Sequence, residues 1–344
     1  MIKKTAVYLF VSSGFFVGSF LAFQQIYDSQ FYKANFSKFL ADSGRVLGET
    51  ASATSSSDNT CTVNQAGLLS ACVDSELPKI DRIFLPEKKD TAVDLETCAM
   101  SGVAIDLDNQ TILYNKNGDL VQPIASLSKL MTALVFLEHN PGWETSYVMK
   151  SEDRREGGKI YLFTGDEVTI KDLFHLSLVA SDNTATIALV NSTGLTQEEF
   201  VKKMNEKAQE LDLKNTAFVE PVGLSEKNVS TALEIAKLSV SALSNQEISE
   251  ATMESEYKFS TAQGKKIAVS STDLLLKNLP PNGLRVKGGK TGYTESAGYC
   301  FVGRFANHED REVIAVALDC SNYQSRFDEA KKIAEWAFDN YIWR

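Results

Sequence analysis

The chain has 344 residues, with 35 Lys and Arg against 45 Asp and Glu, for a formal net charge of −10. That balance argues against nucleic acid as a partner, because such contact rests mostly on phosphate neutralisation, and no Lys/Arg cluster offsets it. Five cysteines and three histidines (His139, His175 and His308) show no metal-ligand spacing, so no metal or other cofactor is expected.

In chain order, Lys3 and Lys4 precede residues 5–23, which carry no charge and are long enough to cross the hydrocarbon core as a helix. The two lysines predict a cytoplasmic N-terminus and an exported remainder. Residues 1–23 therefore read as an N-terminal transmembrane helix, either kept as a membrane anchor or removed as a signal segment. Residues 24–92 read as a spacer that is flexible where it is Ser/Thr-rich, at 49–60. Export permits disulfides, and Cys61 with Cys72 would close a short loop there.

From 93 to 344 the pattern is that of a folded domain. Residues 99–107 and 111–115 alternate as one hairpin, 297–305 and 311–319 as a second, and 127–255 are mainly helical in pattern. Strands at both ends with helices between predict an α/β (α+β) fold, an antiparallel sheet covered by helices with a helical insert, and an active site where they meet. Cys98, Cys300 and Cys320 would lie toward one sheet end, either paired or as buried free thiols.

Three strings carry chemistry: Ser126-Leu-Ser-Lys129, Ser181-Asp-Asn183 and Lys290-Thr-Gly292, spaced 55 and 109 residues apart. A serine hydroxyl needs a neighbouring base, and a lysine three residues on in a helix shares its face. Leu130, Ala133, Leu134 and Leu137 recur at helical intervals, so Ser126 is expected in the first turn of a largely buried helix. To act as a base, Lys129 must have its pKa brought toward neutrality, by burial and by Lys290 as a second cation. The glycines around Lys290 suit a strand edge approached by substrate backbone. Ser181 would pass a proton to the leaving amine, Asn183 would bind the substrate amide, and Asp182 would be structural. A further Ser-x-x-Lys string at Ser255 and Lys258 lies in a polar run without the other motifs. Arg285, Lys287, Lys290 and Arg326 offer a local positive field for a peptide carboxylate.

From about residue 95 onward the chain resembles the serine D-Ala-D-Ala carboxypeptidases, the low-molecular-weight penicillin-binding proteins. Besides the three motifs, the resemblance rests on PIASLSKLMTA from Pro123, FTGDEVTIKDL from Phe163, SLVASDNTATIAL from Ser177, TAFVEPVGL from Thr216 and GKTGYTESAGYC from Gly289. It implies a β-lactamase/transpeptidase-like fold with about five strands and a helical subdomain. It also implies that Ser126 is acylated, that Lys129 is the general base, and that Ser181, Asn183 and Lys290 complete the catalytic set. The backbone amides of Ser126 and Tyr293, beside Gly292, would form the oxyanion hole, with Thr291 and Arg326 binding the terminal carboxylate. The substrate implied is a peptidoglycan stem peptide ending in D-Ala-D-Ala, with β-lactams as inhibitors. A single-pass bacterial plasma-membrane protein with its catalytic domain outside the cytoplasm is expected, or a secreted one if the segment is cleaved.

Two departures from that family stand out. Ser-Asp-Asn also occurs in class A β-lactamases, which need a deacylating glutamate in a Glu-x-x-Leu-Asn loop. Glu220 lies at the corresponding place, but no asparagine follows at the required offset. In Phe218-Val-Glu-Pro-Val-Gly-Leu224 it reads as a substituted loop residue where carboxypeptidases usually carry asparagine. The last helical pattern lies close to residue 344, so the β-rich C-terminal domain of some relatives is not expected within these residues. D,D-endopeptidase action on cross-links and serine β-lactamase activity stay open as alternatives to carboxypeptidase action.

Overall fold

The alternation at 99–107 and 311–319 becomes the centre of a five-stranded antiparallel sheet. Its strands are β1 (Ser101–Asp106), β2 (Ile112–Lys116), β3 (Arg285–Thr294), β4 (Gly298–Ala306) and β5 (Glu312–Cys320), in the order β3-β4-β5-β1-β2. The computed structural model describes residues 85–278 and 283–343. The membrane-segment reading of 1–23, the spacer up to residue 84 and the Cys61–Cys72 loop lie outside the described residues. Regular structure starts before residue 93, because Glu87–Lys88 pairs with Tyr341–Ile342 near the other end of the chain. Among the described residues no helix is long and apolar enough to cross a membrane.

The helices are α1 (Ser128–Glu138), α2 (Ile170–Val179), α3 (Asn183–Ser192), α4 (Gln197–Glu210), α5 (Ala232–Leu243), α6 (Gln246–Met253) and α7 (Ser325–Asn340). Along β5, Val313, Ala315 and Ala317 join one core and Ile314, Val316 and Leu318 the other, as a side-chain period of two requires. On the first face α7 lays down Phe327, Ala330, Ile333, Ala334 and Ala337. On the second, α5 covers β1 and β5, and the larger core continues into α1, α2 and α4 through Leu130, Phe136, Phe174 and Phe200.

From α2 to α6 the start of each helix is written in side chains. Thr169, Asp182, Thr196, Thr231 and Asn245 cap α2 to α6, each accepting a hydrogen bond from the backbone N–H three residues on, at about 1 kcal/mol per cap. The insert is not wholly helical. Ser146–Val148 pairs with Glu167–Thr169, and Gln122–Pro123 with Val229–Ser230. Residues 256–270 fold as a hairpin of Glu256–Ser260 against Lys266–Ser270. The second Ser-x-x-Lys string falls there, and Lys258 is exposed and pairs with Glu256.

Candidate active site

The nucleophile sits just before α1. Ala125 adopts φ 47°, in the left-handed region, and begins a 3₁₀ turn, Ala125–Leu127, that runs into the helix. Ser126 is thus in this turn and not in the first α-helical turn that its spacing predicted. The turn runs straight into α1, so Ser126 and Lys129, three residues apart, face the same side, and Lys129 Nζ lies 2.9 Å from Ser126 Oγ. Nζ also donates to Asn183 Oδ1 and to the Val222 carbonyl, each at 2.7 Å. A neutral amine has two N–H bonds and one lone pair. With both bonds spent on Asn183 and Val222, the lone pair is left facing the Ser126 hydroxyl, which can donate to it. Lys129 is fully buried. Burial lowers its pKa to about 7, against the opposing pull of the Glu220 and Asp182 carboxylates.

Lys290 lies on the edge strand β3, as its glycine-rich surroundings predicted, and donates to Ser181 Oγ at 2.8 Å and to the Thr291 carbonyl at 3.1 Å. Its pKa falls well below the ordinary lysine value through burial first, then through the nearby Lys129 and Arg326. Burial is the first cause at both lysines, and the repulsion between them, which is mutual, further disfavours their being charged together. Ser181 is held at φ 56°, a conformation a non-glycine residue keeps only where its surroundings impose it. Asn183 begins α3. Its Nδ2 donates to the carbonyls of Glu156 (3.1 Å) and Gly157 (2.6 Å), so its amide holds Lys129 and the 156–157 loop. Asp182 caps α3 through a 2.6 Å bond from Ala185 N, the structural part foreseen for it, and burial pushes its carboxyl up to about 6.

On the other side of Ser126, β3 passes close by. A side chain at Gly292 would put its Cβ 3.0 Å from the Ile124 carbonyl and 3.3 Å from Ser126 N, so glycine lets this strand lie against the nucleophile turn without pushing it back by a few tenths of an ångström. Tyr293 follows it and is exposed. Thr291 Oγ1 is buried and donates to Thr272 Oγ1 at 2.7 Å. Arg326, in the first turn of α7, donates through Nη1 to the Gly292 carbonyl at 3.2 Å, and its guanidinium lies 4.4 Å from the Tyr323 ring centre. Its buried Nε has no protein partner. Lys290 and Arg326 therefore converge on the site. Arg285 does not, because it pairs with Asp310 and the Asn307 carbonyl where β3 begins.

The sequence marks Glu220 as a substituted loop residue but not the turn it holds at 220–225, which forms the floor of the site. Glu220 Oε1 accepts from Gly223 N (2.7 Å) and Ser225 N (3.2 Å), and Oε2 accepts from Val222 N (2.7 Å). Thr132 on α1 donates to the Pro221 carbonyl at 2.6 Å. Asn228, wholly buried, donates to Ser128 Oγ (3.1 Å) and the Glu220 carbonyl (2.8 Å) and accepts from Val219 N (2.8 Å). Nothing in the string Glu226-Lys-Asn-Val singles Asn228 out, since its partners are distant in sequence. The expected cysteine cluster also resolves: Cys98, Cys300 and Cys320 are free thiols. Cys300 belongs to the core on one face of the sheet and Cys320 to that on the other.

A buried lysine aimed at a serine hydroxyl, a second Ser/Lys pair beside it and a glycine-lined strand at the junction of sheet and helices define a serine acyl-transfer enzyme of transpeptidase-like fold. The D-alanyl-D-alanine carboxypeptidase model, peptidase S11, matches residues 87–322, and the chain belongs to that family. It is 34% identical over 249 residues to the D-alanyl-D-alanine carboxypeptidase DacF of Bacillus subtilis, covering 71% of this chain and 63% of that protein's length. It is 31% identical to a D-alanyl-D-alanine endopeptidase of Escherichia coli, over 72% of this chain and 79% of the other. Among solved structures, the Streptomyces K15 DD-transpeptidase superposes with a TM-score of 0.67 at 26% identity, over 72% of this chain and all of the other.

Proposed function

We propose that this protein is a serine D,D-carboxypeptidase that removes the terminal D-alanine from peptidoglycan stem peptides and is acylated by β-lactams. The observation that carries the reading is the three-way environment of Lys129 Nζ, with two acceptors for its N–H bonds and the Ser126 hydroxyl on its remaining side. In this mechanism Lys129 takes the Ser126 proton as Oγ attacks the penultimate D-alanine carbonyl. The backbone N–H groups of Ser126 and Tyr293 stabilise the oxyanion, a contribution of about 3 kcal/mol per donor. Lys290 and Ser181 return a proton to the departing D-alanine amine, while Thr291 and Arg326 bind its carboxylate. Water then releases the shortened peptide.

The catalytic domain, from about residue 87 onward, works outside the cytoplasmic membrane on this reading. Residues 1–23 serve as anchor or signal, and the residues between them and the domain as the spacer that lets it reach the wall. The charge pattern of the first 23 residues supports that placement. Endopeptidase action on cross-links is the second reading, favoured by the similarity to a named endopeptidase. A β-lactamase is disfavoured because Glu220 spends its carboxylate on three backbone N–H groups of its own turn.

Incubation of the purified protein with defined monomeric and cross-linked muropeptides, read by mass spectrometry, tests this. Loss of one D-alanine from monomers supports the carboxypeptidase, cleavage of cross-links alone supports the endopeptidase, and no change in either refutes both.

A further inference from the structure

We propose that Glu220 is a positioning residue for the acylation base: its carboxylate clamps the 220–225 turn so that the Val222 carbonyl holds Lys129 Nζ, and its charge faces that same amine. The inference rests on the reading of Lys129 as the base that activates Ser126.

Three backbone N–H groups converge on the two carboxylate oxygens, at 2.7, 2.7 and 3.2 Å. Val222 and Gly223 are buried, so without the carboxylate their donors would lose partners in a place water does not readily reach, which is costly. The clamped turn touches the reacting pair twice. The Val222 carbonyl takes one N–H of Lys129 at 2.7 Å. Gly223, at φ +87°, packs so tightly behind the nucleophile turn that a Cβ there would fall 2.0 Å from the Ala125 carbonyl oxygen and 2.9 Å from Ser126 N. Loosening the turn would free the amine to rotate and remove the backing of Ser126. Misplacement on this scale is enough to slow a positioned reaction strongly.

Charge acts alongside geometry. The charged groups facing Lys129 are Glu220 on this turn, Asp182 at the head of α3, and Lys290 on β3. A negative charge favours the ammonium form, so Glu220 counters the lowering caused by burial. The free amine is the form that accepts the serine proton. Glu220 therefore sets how far down in pH the base stays usable, and without it Lys129 remains neutral to lower pH.

The test uses the full chain carrying Glu220→Gln, which keeps an acceptor and removes the charge, and Glu220→Ala, which removes both. Acylation and deacylation rates with a fluorescent penicillin are measured separately between about pH 5 and pH 9, and Lys129 is titrated by NMR of its ¹³C-labelled ε-carbon. Both variants should show the acid limb of acylation and the NMR midpoint displaced to lower pH, by roughly half a unit or more. The plateau acylation rate should fall by about tenfold or more in Glu220→Ala and less in Glu220→Gln. An unmoved Lys129 midpoint overturns the proposal, as does normal acylation with slowed deacylation, which would make Glu220 an activator of water. Should Glu220→Ala fail to fold, Glu220→Gln and its NMR titration still decide. Penicillin chemistry and the Lys129 titration do not depend on the peptide substrate, so this result stands apart from the muropeptide assay.

Discussion

At the scale of single residues, two buried lysines share one site, and the reaction depends on which of them has given up its proton. Burial brings Lys129 down to about 7, so acylation of Ser126 is expected to rise with pH through an acid limb near neutrality. Lys129→Arg should remove it, because a guanidinium stays protonated. The expected loss is about 10²- to 10⁴-fold in the acylation rate measured by stopped flow, and a retained rate would contradict the base role. Asp182 gives a stability prediction. Its folded pKa, about 6, lies above its ordinary 3.8, so ionising it inside the fold is costly. That cost is absent below about pH 4, grows as pH rises, and is complete above about pH 6. Asp182→Asn keeps a good cap and should melt above wild type at pH 7 by up to about 3 kcal/mol. The difference should vanish toward pH 4, and equal melting at both pH values would count against it. The paired strings were legible because each places two polar groups within one turn or strand. The clamp that Glu220 forms and the part played by Asn228 were not, because their partners are brought together only by the fold.

At the scale of elements, the glycines carry what side chains cannot. Gly223 is the sharpest case, since alanine there meets both a left-handed backbone and the Ala125 carbonyl. Gly223→Ala should cost about 2 kcal/mol or more in denaturant unfolding and slow penicillin acylation by about a hundredfold. Wild-type values in both would show that the turn does not back the nucleophile. The strand pairs of the sheet were readable from alternation, and α1 from its apolar spacing. The 3₁₀ entry to α1 was not, because its geometry is imposed by Ala125 and the neighbouring turn and not by any local propensity. The hairpin at 256–270 was likewise hidden, its strands being polar on the exposed face and its register set by packing under α2. Thiol reactivity probes the sheet directly. Burial pushes Cys300 and Cys320 up to about 12, whereas Cys98 is exposed and bonded to Glu329 at 3.2 Å. Alkylation of the native protein followed by mass mapping should label Cys98 ahead of the other two, and prompt labelling of Cys300 would contradict the packing of β4.

At the scale of the molecule, one sheet separates two apolar cores and delivers the site at the place where its edge strand meets the helical insert. The fold class and the site's position at this junction were legible because strand patterns bracket a helical stretch and the motifs come from each part. What covers each face was not, since α7 and α5 present similar apolar stripes. β5, paired on both sides and covered on both faces, should be among the slowest segments to exchange amide hydrogens, with the edge strand β2 faster; the reverse order would refute this layering. The whole account turns on whether the Lys129-supported hydroxyl of Ser126 is the acyl acceptor. The most direct test is to react the full chain with a penicillin at pH 6 and pH 8, quench, and locate the adduct by peptide mass spectrometry. The account predicts one adduct, on Ser126, forming faster at the higher pH and absent from Ser126→Ala; an adduct on another residue, or none, would contradict it.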